Sequence, residues 1–207
     1  MGRLSLVGTF YARHEQTLPL LRRVLVESTR PPDEFWIMCE GADDADIAMQ
    51  ALDFLDRTAT VVVLPTPRLD NGRYAVVPYS NKINYALDRT DADYIAYLTN
   101  DSMPDPRKYE LMARALAENP DWHAVYCGQR RNGSNIDAVN TVPDGWCVLD
   151  HTQVMHRATH ARWTLDPANT LLGDAYFWRD LNGPFQPVEG GILDVTDQTA
   201  DGLTRGA

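Results

Sequence analysis

The chain has 207 residues, a formal net charge of −10 and a hydrophobic content of 44%. This length and composition predict one globular domain over residues 1–207. The acidic balance argues against a large nucleic-acid-binding or membrane-binding surface, because such a surface needs clustered lysine and arginine.

Cys39, Cys127 and Cys147 are widely spaced and form no CxxC motif, which predicts reduced thiols rather than a disulfide framework. The first residues enter an apolar strand pattern without the features of a signal peptide. No apolar run approaches the ~18 residues of a membrane span. These features predict a cytoplasmic protein without a membrane span.

Short apolar runs alternate with segments of helical periodicity through the first 128 residues. Thr17 is the predicted cap of the first helix, and Pro19 suits its first turn. Beyond residue 128 only residues 173–181 have clear helical periodicity. In chain order, the pattern predicts strand 4–10, helix 17–30, strand 34–39, helix 43–56, strand 60–64, helix 80–88, strand 94–98, helix 107–119 and strand 123–127.

This alternation predicts an α/β fold with a Rossmann-like, mainly parallel sheet and helices on both faces. Residues 1–128 form the regular half, and residues 129–207 form a less regular half without a linker between them. Ligands bind such sheets beyond the carboxyl ends of the strands. Three polar segments, 9–13, 39–44 and 99–102, follow strand ends, so we expect them to meet at one edge.

A single carboxylate, Asp101, follows the apolar strand at 94–98. Mg²⁺ and Mn²⁺ commonly bind one or two protein carboxylates together with phosphate oxygens of a substrate. Asn100, which we assign to the donor-binding side, and Ser102 place neutral oxygens beside this carboxylate. One interpretation is therefore a metal site at Asp101, and the other is that Asp101 and Ser102 cap a turn or the next helix.

The segment ADYIAYLTNDSMPDPRKYELMARAL, residues 92–116, resembles the strand, Asp-x-Asp motif and helix of family 2 glycosyltransferases with the GT-A fold. The last Asp of that motif matches Asp101, and the resemblance implies that Asp101 binds the metal that bridges the phosphates of a sugar nucleotide. Thr99 stands where the family has its first Asp, so this chain lacks the second negative charge.

Two further segments resemble the donor-binding strands of this family in the same order. In LVGTFYARHEQTL, residues 6–18, the resemblance places Thr9, Tyr11 and Arg13 around the nucleotide base. In FWIMCEGADD, residues 35–44, Glu40 takes the place of the Asp that binds uracil, which favours a UDP-sugar. In YSNKINYAL, residues 79–87, Lys82 is the candidate cation for the diphosphate.

The second half resembles the acceptor side of the same family. WCVLDHTQVMHR, residues 146–157, resembles a strand of that side, and LLGDAYFWRDL, residues 171–181, resembles the segment that supplies the catalytic base, which matches Asp174. The alternative for Asp174 is a helix cap. The C-terminal metal-binding His of many GT-A enzymes has no match, and His156 is the first candidate to replace it, with His151 as the second.

The resemblance covers about residues 4–181 and implies a metal-dependent, inverting glycosyltransferase of the hexosyltransferase type. Its cofactor would be Mn²⁺ or Mg²⁺, its donor a UDP-sugar, and its acceptor a hydroxyl of a glycan, a small molecule, a protein or a modified phage DNA base. One alternative is a catalytically silent sugar-nucleotide-binding module, which Thr99 suggests. A nucleotidyltransferase is another, but GTFYARHEQT is a poor match to the Gly- and Arg-rich loop it needs.

Overall fold

The structure, a computed structural model, describes residues 2–11, 14–131, 134–136, 149–166, 168, 173–181 and 185–195. Within these residues nine strands form one sheet. They are β1 Leu4–Phe10, β2 Glu34–Cys39, β3 Thr60–Val63, β4 Tyr94–Thr99, β5 Ser102–Pro104, β6 Ala124–Arg131, β7 Ser134–Ile136, β8 Val154–Arg157 and β9 Phe185–Val195. The α-helices are α1 His14–Arg22, α2 Ala42–Leu55, α3 Pro78–Leu87, α4 Lys108–Glu118 and α5 Gly173–Leu181.

The sheet has the strand order β3-β2-β1-β4-β8-β6-β9-β5, with β7 paired to β6. The strands β3, β2, β1 and β4 are parallel to one another, which confirms the Rossmann-like arrangement predicted for the first half. Beyond β4 the sheet is mixed. The connection through α4 leaves a gap one strand wide between β4 and β6. The strand β8 occupies this gap and runs antiparallel to both β4 and β6.

Apolar side chains alternate along the strands and cover both faces of the sheet. Leu6 and Ile37 pack on one face with the apolar sides of α1, α2 and α4. Val7 and Tyr97 pack on the other face with α3 and α5. The predicted helices on both faces are therefore confirmed. The strands β1, β2 and β4 are buried from two sides, whereas β3 at the edge of the sheet is partly exposed.

The first helix differs from its prediction at both ends. It begins at His14, so Thr17 lies inside the helix, 2% exposed, and does not cap it. Pro19 is the sixth helical residue and removes one intrahelical hydrogen bond, since proline has no amide hydrogen. The helix continues as a π-helical turn, Arg23–Glu27, whose Val24 and Leu25 are buried.

Two of the three cysteines lie in the described residues. Cys39 and Cys127 are free thiols and fully buried, as the sequence predicts, and Cys147 lies outside the described residues. Burial raises the pKa of the Cys39 thiol to about 12. None of the described helices combines the length and apolarity needed to cross a bilayer.

Candidate functional site

Several polar side chains meet at the edge of the sheet where β1, β2 and β4 end. Thr9 near the end of β1 is paired in register with Thr99 at the end of β4. Because β8 runs antiparallel to β4, the start of β8 lies beside the end of β4. The 3-10 turn that precedes β8, His151–Gln153, therefore reaches the same edge. Ligands of open α/β sheets bind at this edge.

Asp101 is half-buried just beyond β4, and two hydroxyls hold its carboxylate. Thr99 Oγ1 donates a short hydrogen bond to Asp101 Oδ1, and Ser102 Oγ donates to the same oxygen over 3.2 Å. The two hydroxyl oxygens are 2.8 Å apart. Thr99, at the position of the family's first Asp, thus orients the carboxylate of Asp101 without adding a second charge.

Thr9 and Asn100 are buried at this edge and have unused hydrogen-bonding capacity. They are 3% and 2% exposed, and within the described chain neither Thr9 Oγ1 nor Asn100 Oδ1 has a hydrogen-bond partner. Asn100 Nδ2 donates to the carbonyl of Tyr11 over 3.0 Å, which ties the end of β4 to the segment after β1. Arg13 lies outside the described residues. Buried polar atoms without partners are uncommon, so they mark a place where a ligand can bind.

Glu40 and Lys82, predicted to bind the donor, bind each other. Lys82 Nζ donates to Glu40 Oε2 and, over 2.9 Å, to Thr66 Oγ1. Glu40 accepts from the Thr66 amide at 2.9 Å and from its hydroxyl at 2.8 Å. Burial by itself would raise the pKa of Glu40, but the hydrogen bonds from Lys82 and Thr66 lower it below its ordinary value. We call Glu40, Thr66 and Lys82 the closed cluster.

A second group consists of Asp150, His151 and Asp174, and we call it the Asp–His–Asp cluster. The His151 amide donates to Asp174 Oδ2 over 3.0 Å, and His151 Nδ1 lies 3.3 Å from the same oxygen. Asp150 Oδ1 is 3.6 Å from Nδ1. It also accepts from the amide and hydroxyl of Thr152, so Asp150 caps the turn that carries His151.

Aromatic side chains fix the imidazole of His151. Tyr79 stacks on it with ring centroids 5.9 Å apart and an interplanar angle of 7°. Trp163 meets it edge-on at 5.6 Å. His151 Nε2 is buried and has no hydrogen-bond partner in the described chain. One ring nitrogen is therefore held by Asp174, while the other is oriented and unused.

The charges around His151 are mainly negative. Burial alone would lower the pKa of His151, but the charge and hydrogen bond of Asp174, followed by the charges of Asp150 and Asp101, raise it to about 9. Asp101 is thus close enough to act on the same imidazole as the Asp–His–Asp cluster. Three carboxylates therefore act on this one imidazole, and the negative potential that they create there attracts a cation.

The start of α5 brings Asp174 to this cluster. Asp174 lies in the first helical turn, where a carboxylate is favoured by the exposed amides. Phe177 and Trp178 are buried and anchor the helix on the sheet. The Trp178 indole donates to the carbonyl of Leu149 over 2.9 Å, so the helix also holds the segment that leads to Asp150.

His156 does not fit its predicted role as a metal ligand. It lies opposite Ile95, well inside the sheet, and is 0% exposed. Its Nδ1 donates to the carbonyl of Arg157 at 2.6 Å, and its Nε2 accepts from the Tyr97 hydroxyl at 2.7 Å. Both nitrogens are occupied, and burial lowers the pKa of His156 to about 4. His156 is a core residue.

Lys108 is a structural contributor that the sequence interpretation missed. It is 0% exposed, and its ammonium donates to the carbonyl of Thr152 in the turn that carries His151. Burial lowers the pKa of Lys108. The sequence did contain a pattern that indicates burial of Lys108, because Lys108 precedes Met112 and Leu116 at helical spacing and so lies on their buried face. The pattern that indicates a site at His151 is the Asp-His pair directly before an apolar strand.

The described residues suit a divalent cation. One ligand atom from each member of the Asp–His–Asp cluster can be chosen so that all lie within 4.8 Å of one another. Asp101 adds a fourth side chain in the same electrostatic environment. Carboxylate oxygens and an imidazole nitrogen are ordinary ligands of divalent transition metals, and the unused Nε2 of His151 supports this fit.

No protein-family model matches the chain. Protein CgeD of Bacillus subtilis (strain 168) is 34% identical over 223 aligned residues, which include 96% of this chain and 51% of CgeD. The chain thus spans about half the length of this curated relative.

Two solved structures share the architecture. The mannosyltransferase PcManGT from Pyrobaculum calidifontis, in complex with GDP-Man and Mn²⁺, has a TM-score of 0.69 and 14% identity, covering 93% of this chain and 56% of its own. S. aureus TarS 1–349, in complex with UDP-GlcNAc, has a TM-score of 0.64 and 10% identity, covering 95% and 59%. The chain has the GT-A glycosyltransferase fold. The fold that the sequence resemblance predicted is therefore confirmed. Sequence identities of 10–14% establish the fold alone.

Proposed function

We propose that the chain is a metal-dependent, inverting glycosyltransferase that moves a hexosyl group from a UDP-sugar to an acceptor hydroxyl. The observation that carries the proposal is the meeting of Asp101, His151 and Asp174 at the ligand-binding edge of a GT-A sheet. The reaction needs one carboxylate that binds a cation and a second carboxylate that accepts a proton. Asp101 and Asp174 provide two such carboxylates at this edge of the sheet.

Asp101 is the proposed carboxylate ligand of the divalent cation. Thr99 and Ser102 fix its Oδ1 by hydrogen bonds, so the carboxylate is oriented before any ligand arrives. A cation held there would offset the negative charge that develops on the departing diphosphate. Because Thr99 adds no second carboxylate, the substrate phosphates and the members of the Asp–His–Asp cluster other than Asp174 would have to complete the coordination.

Asp174 is the proposed general base. In the described chain, Asp174 accepts hydrogen bonds through Oδ2 only, from the backbone amide and the ring Nδ1 of His151. The other carboxylate oxygen, Oδ1, would accept the proton of the acceptor hydroxyl as that oxygen attacks the anomeric carbon. A base on the face opposite the departing diphosphate leads to inversion, by the same geometry that separates inverting from retaining glycosidases.

The donor-binding residues are proposed from the same edge. Thr9 Oγ1 and Asn100 Oδ1 are buried acceptors without a partner in the described chain, so they suit hydrogen-bond donors of the nucleoside. Tyr11 is 38% exposed beside them and offers a face for stacking. Glu40 and Lys82, predicted from the sequence for the uracil and the diphosphate, are already bonded to each other and to Thr66, so we propose that they support this side of the site rather than contact the donor.

The competing function is a catalytically silent sugar-nucleotide-binding module, which the missing acidic residue at Thr99 favours. The two functions differ in turnover and not in binding. They predict the same metal-assisted nucleotide affinity, but only an enzyme releases nucleoside diphosphate from its donor.

The test is a titration of the chain with UDP and GDP, with and without Mn²⁺, followed by assays of UDP release from UDP-sugars. We expect Mn²⁺ to tighten UDP binding by at least about tenfold, and Asp101→Asn to abolish that gain. Asp174→Asn should keep UDP affinity while lowering turnover by about 10²–10⁴-fold.

The exposed Asp43→Asn variant is the matched control and should behave as wild type. UDP binding that ignores both Mn²⁺ and Asp101 would contradict the metal site, and tighter binding of GDP than of UDP would contradict the uridine donor. Metal-assisted UDP binding without turnover of any donor would favour the silent module.

A further inference from the structure

We propose that the closed cluster removes selection of uracil over cytosine, so that the site binds UDP and CDP with similar affinity, and that Lys82 is the residue that sets this tolerance. The inference rests on the nucleotide-sugar function proposed above and deepens it, because it states which feature of the base the site does not distinguish. It differs from the prediction made from the sequence, in which Glu40 selects uridine.

Uracil and cytosine have the same size and differ along one edge of the ring. Uracil has a hydrogen on its imide nitrogen and an oxygen on the next carbon, whereas cytosine has a lone pair on that nitrogen and an amino group on the carbon. A carboxylate aimed at this nitrogen accepts a hydrogen bond from uracil and repels the lone pair of cytosine. Because hydrogen bonds to charged groups are the stronger ones, a free carboxylate should favour UDP over CDP by at least about tenfold.

Glu40 has the position for such a contact, but its oxygens are already engaged. It directly follows β2, whose last residue, Cys39, is paired with Phe10 at the end of β1. Glu40 Oε1 accepts from the Thr66 amide over 2.9 Å. Its Oε2 accepts from the Thr66 hydroxyl over 2.8 Å and from the ammonium of Lys82. The base would therefore meet a carboxylate that already has three donors from within the chain.

The ammonium of Lys82 has no hydrogen left for a ligand. Lys82 is 4% exposed, and its three N–H groups match three acceptors: Glu40 Oε2, Thr66 Oγ1 at 2.9 Å and the Pro78 carbonyl at 3.4 Å. Its positive charge offsets the charge of Glu40. Burial would raise the pKa of Glu40, but the hydrogen bonds from Lys82 and Thr66 lower it, so the pair stays ionised at neutral pH and presents no net charge to a base.

The polar atoms proposed to contact the nucleoside are neutral. Thr9 Oγ1 and Asn100 Oδ1 are buried and have no partner in the described chain. A hydroxyl can donate or accept, and an amide oxygen accepts as readily from the imide hydrogen of uracil as from the amino group of cytosine. Neither atom carries the charge that would repel the ring nitrogen of cytosine, so neither restores the selection that Glu40 has lost.

The experiment is a calorimetric titration of the full chain with UDP and with CDP in saturating Mn²⁺. In the wild-type protein the two dissociation constants should agree within about threefold. Lys82→Met removes the cation and leaves the carboxylate of Glu40 charged, so UDP should become favoured over CDP by about tenfold or more. Adding Glu40→Gln to Lys82→Met should return the ratio to its wild-type value. The exposed Arg114→Met is the matched control and should also keep that value.

A wild-type preference of more than about threefold for either nucleotide overturns the inference while the proposed function stands. An equal loss of UDP and CDP affinity in Lys82→Met, with their ratio unchanged, also overturns it, because Lys82 would then contact the diphosphate that both share.

The double variant keeps the test open if Lys82→Met alone does not fold. It should bind both nucleotides within about threefold of wild type, and a loss of UDP affinity of about tenfold would show that the closed cluster contacts the base. If neither UDP nor CDP binds the wild-type protein, the proposed nucleotide-sugar function itself fails, and this inference fails with it.

Discussion

The closed cluster and the Asp–His–Asp cluster lie at the same edge of the sheet but balance their charges differently. In the closed cluster Lys82, 4% exposed, neutralises Glu40, and Thr66 satisfies both oxygens of that carboxylate. In the Asp–His–Asp cluster a single imidazole faces several carboxylates and keeps one buried nitrogen without a partner in the described chain.

The difference separates a structural use of charge from a functional one. An ion pair whose cation is buried and whose atoms are all hydrogen-bonded holds two segments together and is costly to break from one side. A group in which one imidazole faces several carboxylates and keeps an unused ligand atom adds little to folding and keeps its binding capacity for a ligand. Substitutions that each change one carboxylate or one cation can therefore test which description applies to which cluster.

The largest loss of stability is expected from Glu40→Gln, because it leaves the buried ammonium of Lys82 without its counter-charge. The free energy of unfolding, measured by urea denaturation at pH 7, should fall by about 3 kcal/mol. The exposed Glu118→Gln is the matched control and should change it by less than about 0.5 kcal/mol. Adding Lys82→Met to Glu40→Gln should recover part of the loss. Equal effects of Glu40→Gln and Glu118→Gln would mean that the closed cluster is not structural.

His151 and His156 provide a second contrast, and the pH dependence of the unfolding free energy tests it for His156. Since the pKa of His156 falls to about 4 on folding, the unfolded chain binds more protons than the folded chain between pH 4 and about 6.5. The stability that depends on neutral His156 is complete above pH 6.5 and is lost as the pH falls through 4.

This contribution amounts to about 3 kcal/mol, because the pKa of His156 falls from about 6.5 in the unfolded chain to about 4 in the folded chain. His156→Gln should therefore show a shallower loss of unfolding free energy than wild type between pH 7 and pH 4 in urea titrations. The exposed His160→Gln should follow the wild-type curve. Parallel curves for wild type and His156→Gln would show that His156 is not held neutral in the core.

The fold was predictable because its signals are local. Apolar runs and helical periods placed the strands and helices of the first half within a few residues, except the short β5, which was not predicted. The helix α5 was predicted at its observed bounds. The position of β8 was not predictable, since the antiparallel pairing of Met155 with both Ala96 and Val125 depends on contacts across the whole chain. That pairing also brings His151 beside the end of β4.

The site was predictable only in part for the same reason. Asp101 and Asp174 could be found because each lies in a recognisable local pattern. The pairing of Glu40 with Lys82 could not be found, because it joins residues 42 positions apart that were each assigned to a ligand. The choice between His151 and His156 depends on which ring nitrogen is already bonded, and spacing carries no information about that.

A smaller effect on folding is expected from Lys108→Met. The substitution removes a charge that burial disfavours, as the lowered pKa of Lys108 indicates, but it also removes the hydrogen bond to the Thr152 carbonyl. These effects oppose each other, so the unfolding free energy should change by no more than about 1 kcal/mol. Mn²⁺ affinity, measured by calorimetry, should nevertheless fall by about tenfold because the turn carrying His151 loses its anchor. Unchanged Mn²⁺ affinity would remove Lys108 from the support of the site.

The smallest effect on folding is expected from Asp101→Asn in the metal-free protein. The amide oxygen of Asn can still accept from Thr99 and Ser102, and the loss of one negative charge near Asp150 and Asp174 relieves repulsion. Without metal, the unfolding free energy should therefore stay within about 0.5 kcal/mol of wild type. With Mn²⁺ and UDP at about 100 times their dissociation constant, wild type should gain about 2.7 kcal/mol and Asp101→Asn almost none. If Asp101→Asn instead unfolded the metal-free protein as readily as Glu40→Gln, Asp101 would belong with the structural carboxylates, because its charge would already be balanced within the protein.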